Sequence, residues 1–323
     1  MKKITVAGCG IVGLTSALAL QENGWSVRII ARERFDHTLS EKVGAIWFPF
    51  AIEPVEEAAR WGSLSYQRYI QEQFPGNGVS FIPFTIVYGT SDDTSWAQKL
   101  PKEAIRAARM EELPYGAEKA YVAIVPLAEP PLYLPHLFDR FIANGGQFEQ
   151  KEITTLQQLS ELDTVVVNCT GLGAKTICMD DELVPMRGQI LRVKTLDIQS
   201  FVNSTENGAL SYMIRRNTDC IIGGTDYLND WNMNVEKSDT ELILSRFQKA
   251  ELSQKNPEII EEIVGLRPKR TKVRFSFDPH YSNVFHNYGH GGSGFTVAWG
   301  CALELAEIIT KNNAHDSFLP PNI

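Results

Sequence analysis

The sequence predicts an α/β protein that combines a domain built on a parallel sheet with an α+β domain built on a mixed or antiparallel sheet. Residues 3–31 follow the order strand, glycine-rich turn, helix, strand, which is typical of a parallel βαβ unit. The run Thr164–Cys169 (TVVVNC) is continuously β-branched and apolar, as in a strand buried on both faces. Three short strand patterns follow at Ile190–Val193, Ser211–Ile214 and Asp219–Gly223. They are typical of antiparallel strands in a second sheet.

The N-terminal unit is defined by three consecutive patterns. Lys3–Ala7 is a short apolar strand, and Ile11–Glu22 has helical periodicity. Asn23-Gly24 supplies the glycine that commonly ends a helix. Trp25–Ala31 then alternates like a second strand, so the unit predicts a Rossmann-like domain.

The rest of the chain alternates between helical and strand patterns. Val79–Tyr88 predicts a strand, and Pro83 predicts that it lies at a sheet edge because proline has no N–H to donate. Four segments have helical patterns: Glu53–Phe74, Leu134–Asn144, Asp239–Gln254 and Phe295–Lys311. A chain of 323 residues exceeds one ordinary core, so two interleaved domains are expected.

Composition and charge exclude several classes of function. The net charge of −8 disfavours nucleic acid as a partner. The five cysteines are scattered and form no C-x-x-C pair, which argues against a disulfide framework and against a metal site. A reducing, cytoplasmic location fits this cysteine usage best.

The chain termini carry no clear targeting signal. Lys2-Lys3 and the apolar run behind them superficially resemble a signal peptide, but three glycines interrupt the run. No stretch reaches the roughly 18 apolar residues needed to span a bilayer, so no membrane association is expected. The last residues, Pro320–Ile323, are not a peroxisomal address.

The first strand–helix turn carries the pattern Gly8-x-Gly10-x-x-Gly13, and Glu33 follows twenty residues after its last glycine. Gly8 permits the tight turn, Gly10 lets the backbone approach a pyrophosphate, and Gly13 lets the helix pack on the strand. The helix N-terminus then offers N–H groups to the phosphates, and Glu33 offers its carboxylate to the ribose. The pattern predicts a dinucleotide site but does not separate FAD from NAD.

Four further segments carry a resemblance to one family. They are residues 43–50 (VGAIWFPF), 167–174 (VNCTGLGA), 185–189 (PMRGQ) and, most specifically, 285–296 (FHNYGHGGSGFT) followed by 299–304 (WGCALE). In this order they resemble the D-amino acid oxidase family, from residue 3 to beyond residue 304. The resemblance implies non-covalently bound FAD. The glycine-rich 285–296 segment opens a helix, whose positive end stabilises a reduced, anionic flavin.

The resemblance also implies how the chain divides and which residues bind the cofactor. Residues 1–50, 119–188 and 265–323 are expected to form the FAD-binding domain, and residues 51–118 and 189–264 the substrate-binding domain. The expected FAD-binding residues are Gly8, Gly10, Ile11, Val12, Gly13, Arg32, Glu33, Gly44, Ala45, Ile46, Trp47, Thr170, Gly171, Arg267, Gly291, Gly292, Ser293, Gly294, Phe295 and Thr296.

Two residues are expected to hold the substrate carboxylate. Residues 265–270 (GLRPKR) resemble the segment with the family's substrate arginine, here Arg267, whose guanidinium can clamp a carboxylate through two parallel hydrogen bonds. The alternative is a surface arginine in a basic run. Tyr212 resembles the family's carboxylate-binding tyrosine, or else is a core residue. The family's lid tyrosine has no counterpart between Phe201 and Ser211, so the lid is expected to be shortened or replaced.

The segment 223–231 (GGTDYLNDW) departs from the family pattern. Asp226 aligns with a position that is aromatic in oxidases of neutral substrates and arginine in relatives specific for acidic ones. A carboxylate there favours neutral or basic D-amino acids over acidic ones. Alternatively, Asp226 pairs with Arg215 or Arg216, or a register shift turns Tyr227 toward the pocket. Phe48 is expected to contribute to the same specificity.

The implied reaction is direct hydride transfer from the substrate Cα to flavin N5, with oxygen as the final acceptor. Arg267 and Tyr212 align the carboxylate, and the carbonyl of Gly292 accepts a hydrogen from the amine. No side chain acts as a general base, so His286 and His290 are expected to order their loop instead. The products are the imino acid, which hydrolyses to a 2-oxo acid and ammonia, and hydrogen peroxide.

Three alternatives stay open at this point. A glycine- or sarcosine-type amine oxidase shares the N-terminal pattern, and a flavin dehydrogenase differs only in its electron acceptor. A non-catalytic flavin-binding scaffold is the alternative of a different class, since the substrate site departs from the family at the lid and at Asp226. A homodimer is also left open.

Overall fold

The computed structural model describes residues 2–89, 94, 97–98, 100–113, 117–203, 211–251 and 257–314. The strands are β1 Lys3–Ala7, β2 Ser26–Ala31, β3 Val79–Val87, β4 Ile105–Ala107, β5 Ala120–Ala128, β6 Gln147–Gln150, β7 Val166–Asn168, β8 Val184–Lys194, β9 Ser200–Asn203, β10 Ser211–Arg215, β11 Asp219–Gly223, β12 Tyr227–Leu228, β13 Ile259–Phe277 and β14 Val284–His290. The helices are α1 Ile11–Glu22, α2 Val55–Glu72, α3 Pro130–Ala143, α4 Leu156–Ser160, α5 Ala174–Ile177, α6 Lys237–Glu251 and α7 Gly294–Ala314.

All these strands belong to one hydrogen-bonded sheet. Its order is β4-β5-β3-β9-β10-β11-β8-β13-β14-β7-β1-β2-β6, and β12 adds a short pair to β8. From β14 to β6 every neighbouring pair is parallel. From β4 to β14 the pairs are antiparallel, except for the parallel pair of β3 with β9. The predicted fold class, a parallel Rossmann-like half combined with a mixed half, is confirmed.

The parallel half follows the predicted βαβ pattern. β1, α1 and β2 lie within one residue of the predicted bounds, and β7 is buried at every position. Helix α1 is buried along most of its length, since α3 and α7 cover it opposite the sheet. This explains why its sequence is apolar on nearly every side.

Strand β13 was not predicted, although it connects the two halves. Its sequence carries charged residues on both faces, which conceals the alternation that marks a strand. Residues Ile259–Lys269 pair with β8, and Lys269–Phe277 pair with β14, with a register shift after Lys269. Arg267 therefore lies where the strand passes from the mixed half to the parallel half.

The edge position predicted for β3 is wrong. β3 lies between β5 and β9. Pro83 is accommodated because the pairing with β9 begins only at Phe84, so the missing N–H removes no bond from that ladder.

Strand β5 lies at the far end of the mixed half, where it pairs with β3 and β4. The division that places residues 119–188 in the FAD-binding domain stays a prediction. Tyr66 donates a hydrogen bond to Ile124 of β5 at 2.9 Å, which ties α2 to this end of the sheet. Local sequence patterns do not reveal this because strand pairing joins distant segments.

The described ranges contain neither a membrane-spanning helix nor a metal-binding cluster. None of their helices combines the length and the apolar character needed to cross a bilayer. Within the same ranges, no three His, Cys, Asp or Glu side chains are grouped so that they could hold a metal ion.

Candidate active site

A cavity of about 800 Å³ extends from the N-terminus of α1 to the middle of β13. Most residues expected to bind the cofactor line it: Gly8, Gly10, Ile11, Val12, Arg32, Glu33, Gly44, Ala45, Ile46, Thr170, Gly171, Arg267, Gly291, Gly292, Gly294 and Phe295. The residues expected to contact substrate also line it, with the exception of Tyr227: Phe48, Tyr212, Asp226, Arg267 and Gly292. One cavity thus joins both sets of residues.

The glycine-rich turn is packed too tightly for side chains. A Cβ on Gly8 would lie 2.8 Å from the carbonyl carbon of Cys169 and closer still to its oxygen. Gly13 does not line the cavity; a Cβ there would collide with the backbone of Gly8. Gly10 caps α1 without any side-chain hydrogen bond. The start of the helix therefore faces the cavity as the sequence pattern predicts for a pyrophosphate site.

Two charged residues that follow β2 also line the cavity. Glu33, at the end of β2, pairs with Arg32 at 3.2 Å, and both line the cavity. Both side chains are largely exposed, so each remains accessible to a ligand that enters the cavity.

The loop 43–50 is fastened to the start of α7. The Phe48 N–H donates to Thr296 Oγ1 at 3.1 Å, and that hydroxyl donates to the Phe48 carbonyl at 2.9 Å. Ser293 makes the same pair of bonds with Phe50, at 2.9 and 2.8 Å. Trp47 donates to the Gly62 carbonyl at 3.0 Å. The cavity wall is therefore held in place by three residues that do not line the cavity themselves: Trp47, Ser293 and Thr296.

The Arg267 guanidinium lies flat over a glycine. A Cβ on Gly188 would lie 2.5 Å from Arg267 Cζ and closer still to both terminal nitrogens. This proximity follows from register, because Gly188 pairs with Gly265, two residues before Arg267 on β13. One nitrogen, Nη1, donates to the Thr225 carbonyl at 2.9 Å, which fixes the plane of the group.

Tyr212 lies beside Arg267 and also packs over a glycine. It pairs across the strands with Gly223, where a Cβ would lie 2.8 Å from Tyr212 Cε1 and closer still to Cζ and the hydroxyl oxygen. Burial raises the pKa of Tyr212, while the hydrogen-bonded Arg267 guanidinium opposes that rise. The phenol therefore stays protonated and can donate. Gly292 also lies next to Arg267, since a Cβ there would contact Arg267 Cδ at 3.6 Å.

Asp226 is half-buried and makes no hydrogen bond or ion pair with any other described residue. Burial raises its pKa, and the charges of Arg267 and Arg246 oppose that rise. The alternative pairings with Arg215 and Arg216 do not occur. Arg215 binds Asp197 at 2.7 Å, and Arg216 binds Asp219 at 2.5 Å.

Tyr227 points away from the cavity. Its hydroxyl donates to Asp239 Oδ1 at 2.8 Å, and its side chain is largely exposed. Strand β12, which contains Tyr227, pairs with β8 at Arg187. The register therefore turns Asp226, rather than Tyr227, toward the cavity.

His286 is locked in one neutral tautomer. Asn168 Oδ1 accepts from the N–H and the hydroxyl of Thr170, so its amide nitrogen faces His286 Nδ1 at 3.1 Å. The ring proton must then lie on Nε2, which donates to Asp278 at 3.0 Å. Burial lowers the pKa of His286 to about 4. The ring orders Asn168 and Thr170 at the cavity wall and is not available as a base.

Several cavity residues were not singled out from the sequence. Ser40 Oγ accepts from the Ile11 N–H at 3.0 Å and lies under Gly10. Phe84, Val202 and Trp231 line the mixed half of the cavity. Their local sequence gives no signal, because only the strand order brings β3 and β9 to the cavity. Most of the expected lid segment, residues 204–210, lies outside the described residues.

The cavity fits FAD. A long cavity that begins at a helix N-terminus, with glycines where Cβ atoms would collide, suits a dinucleotide. Asn287 also lines it, and its buried Oδ1 has no hydrogen-bond partner among the described residues. A ligand that donates to this oxygen would satisfy it.

Comparison with protein families assigns the class. Residues 3–308 match the family described as FAD dependent oxidoreductase. With the Rossmann-like half and the glycine-lined cavity, this match defines the chain as an FAD-dependent oxidoreductase.

Comparison with individual proteins narrows the assignment. A D-amino-acid oxidase of Rubrobacter xylanophilus is 36% identical over 317 residues, covering 95% of each chain. A D-amino-acid oxidase of Dictyostelium discoideum is 33% identical over 320 residues, covering 95% of this chain and 91% of that one. Glycine oxidase of Bacillus cereus shares the fold with a TM-score of 0.78 at 16% identity, covering 100% of this chain and 99% of that one. The chain belongs to the D-amino-acid oxidase family.

Proposed function

We propose that the protein binds FAD non-covalently and oxidises D-amino acids with oxygen to 2-oxo acids, ammonia and hydrogen peroxide. The observation that carries this proposal is the position of Arg267. Its guanidinium lies flat on Gly188, beside the Tyr212 phenol, in the same cavity as the glycine-rich turn. A rigid guanidinium with a neighbouring hydroxyl suits a carboxylate that must be held at a fixed angle.

The residues of the chain bind and orient the substrate. Arg267 and Tyr212 hold the carboxylate, and Gly292 lies beside Arg267, where its carbonyl can accept a hydrogen from the amine. FAD, when bound, accepts a hydride from the substrate Cα and passes the electrons to oxygen. The protein supplies alignment, so no side-chain base is required. His286 is engaged on both nitrogens, and burial lowers the pKa of His290 to about 4.

Non-covalent attachment is supported by the state of the cysteines that line the cavity. Cys9 and Cys169 are buried, and burial raises the pKa of each thiol to about 12. A protonated thiol is a poor nucleophile toward the flavin ring. Cys301 lies inside α7 and does not line the cavity.

We further propose that neutral or basic side chains are favoured over acidic ones. Asp226 places an unpaired carboxylate on the cavity wall, where an acidic side chain would be repelled. Asp226→Asn should lower the ratio of kcat/KM for D-lysine over D-alanine by about tenfold, as expected when a charge pair near a protein surface is lost. An unchanged ratio would show that Asp226 does not meet the side chain.

The test of the reaction is an anaerobic titration of the purified holoprotein. D-Alanine, D-lysine, D-aspartate, their L-enantiomers, glycine and sarcosine are added in turn while the oxidised flavin band is followed. Bleaching by D but not L forms is the expected result. Faster bleaching by glycine or sarcosine would favour an amine oxidase instead. Flavin that stays oxidised with every amine would favour a scaffold, and bleaching without oxygen consumption after aeration would favour a dehydrogenase.

A further inference from the structure

The segment that carries Asp226 is supported from behind by helix α6. Gly224–Asp226 line the cavity between β11 and β12, while α6 packs on the opposite side against β8, β10 and β11. Arg246, in the last two turns of α6, is partly buried and points toward this segment. Its Nη1 donates to the Gly224 carbonyl at 3.4 Å, two residues before Asp226.

The charges of Arg267 and Arg246 both act on the Asp226 carboxylate, but only Arg267 lines the cavity. Arg267 lines the cavity and is assigned above to the substrate carboxylate. Arg246 does not line the cavity, and within the described ranges it forms no ion pair with Asp226. Both charges favour the ionised form of Asp226 against the effect of burial. The charge of Arg246 therefore reaches the cavity although its side chain does not.

We propose that Arg246 sets how strongly the pocket discriminates cationic from neutral D-amino acid side chains. Its fixed charge behind Gly224 offsets part of the field of Asp226 and lowers the affinity for a side-chain ammonium. A neutral side chain is indifferent to this charge, so Arg246 keeps the pocket open to neutral substrates. The inference rests on the proposed D-amino acid oxidation and concerns the selectivity of the same site.

The fields of two fixed charges add, so the effect of Arg246 on the substrate does not require Asp226. Removing Arg246 removes a repulsion that acts on the side-chain ammonium whether or not Asp226 is charged. A double-mutant cycle with Asp226→Asn measures whether the two charges act independently on the substrate.

The experiment compares D-lysine with D-norleucine, which has the same carbon chain but no ε-ammonium group. The kcat/KM ratio of the two is measured on the holoenzyme at low ionic strength, because salt screens such effects. Arg246→Met should raise the ratio about fivefold, the size expected for one charge near a protein surface. Arg246→Lys keeps the charge and should keep the wild-type ratio. Lys249→Met removes a charge one turn further along α6 and should also leave the ratio unchanged.

In the Asp226→Asn background, Arg246→Met should raise the ratio by a similar factor, because the repulsion from Arg246 does not require Asp226. An unchanged ratio in Arg246→Met, or a rise that the charge-conserving Arg246→Lys reproduces, overturns the role of Arg246. Oxidation of D-norleucine by the wild type reports the proposed function itself. If D-norleucine is oxidised while the ratio fails to respond, only the role of Arg246 is refuted. If the wild type oxidises neither substrate, the proposed function and the inference are both refuted.

Discussion

Replacing Gly188 with alanine tests the carboxylate clamp without touching a functional side chain. The new methyl carbon would lie 2.5 Å from Arg267 Cζ, whereas ordinary contacts begin at 3.4 Å, so the guanidinium must move by about 1 Å. The end of a flexible side chain can move at little cost to the fold. A displacement of about 1 Å in a positioning group typically lowers activity by about 100-fold, or ~2.7 kcal/mol of transition-state stabilisation.

The assay is steady-state oxygen consumption with D-alanine, together with a thermal unfolding curve. Gly188→Ala should lower kcat/KM by about 100-fold while Tm changes by less than about 4 °C, which corresponds to roughly 1 kcal/mol. Gly62→Ala is the matched control, because its methyl would meet the Trp47 ring at 3.5 Å, an ordinary contact. Wild-type kcat/KM in Gly188→Ala would refute the assignment of Arg267.

Two further predictions concern the cofactor site and the buried histidines. Gly8→Ala should purify largely without flavin absorbance, because the φ of +112° at this position is strained for alanine and the new Cβ would collide with the Cys169 backbone. Gly24→Ala is the control: its φ is +83°, but its Cβ would enter open space, so this variant should keep its flavin. Burial lowers the pKa of His286 and of His290 to about 4, so the folded chain keeps both rings neutral while the unfolded chain protonates them below about pH 6.5. The free energy of unfolding should therefore fall as pH decreases from about 6.5 to about 4. Urea unfolding at about pH 7, 6 and 5 measures it, and the same free energy of unfolding at all three would contradict the prediction.

The parallel half and its cofactor turn could be predicted from sequence because their signals are local. β1, the glycine-rich turn and α1 are consecutive, and their apolar pattern and glycine spacing reflect contacts formed within residues 3–31. The mixed half was predicted only in part, since charged residues along β13 conceal its alternation. Its strand order depends on pairing between segments far apart in the chain, so the edge position predicted for β3 was wrong.

The same distinction holds within the candidate site. Residue type and resemblance selected Arg267, Tyr212 and the glycine-rich segments, and the structure brings them together around one cavity. From the sequence, either Asp226 or Tyr227 could face the pocket, because a shift of one residue in register exchanges the two faces of a strand. The pairing of β12 with β8 turns Asp226 inward and leaves Tyr227 bound to Asp239.

The family, the class of cofactor and the residue types of the proposed carboxylate clamp could be predicted from the sequence, because short motifs carry that chemistry in their order and spacing. The packing of Arg267 and Tyr212 over Gly188 and Gly223 could not be predicted from the sequence. Nor could the position of Arg246 of α6 behind the segment that carries Asp226. These relations arise from strand register and helix packing between distant segments, and electrostatic fields act through space rather than along the chain.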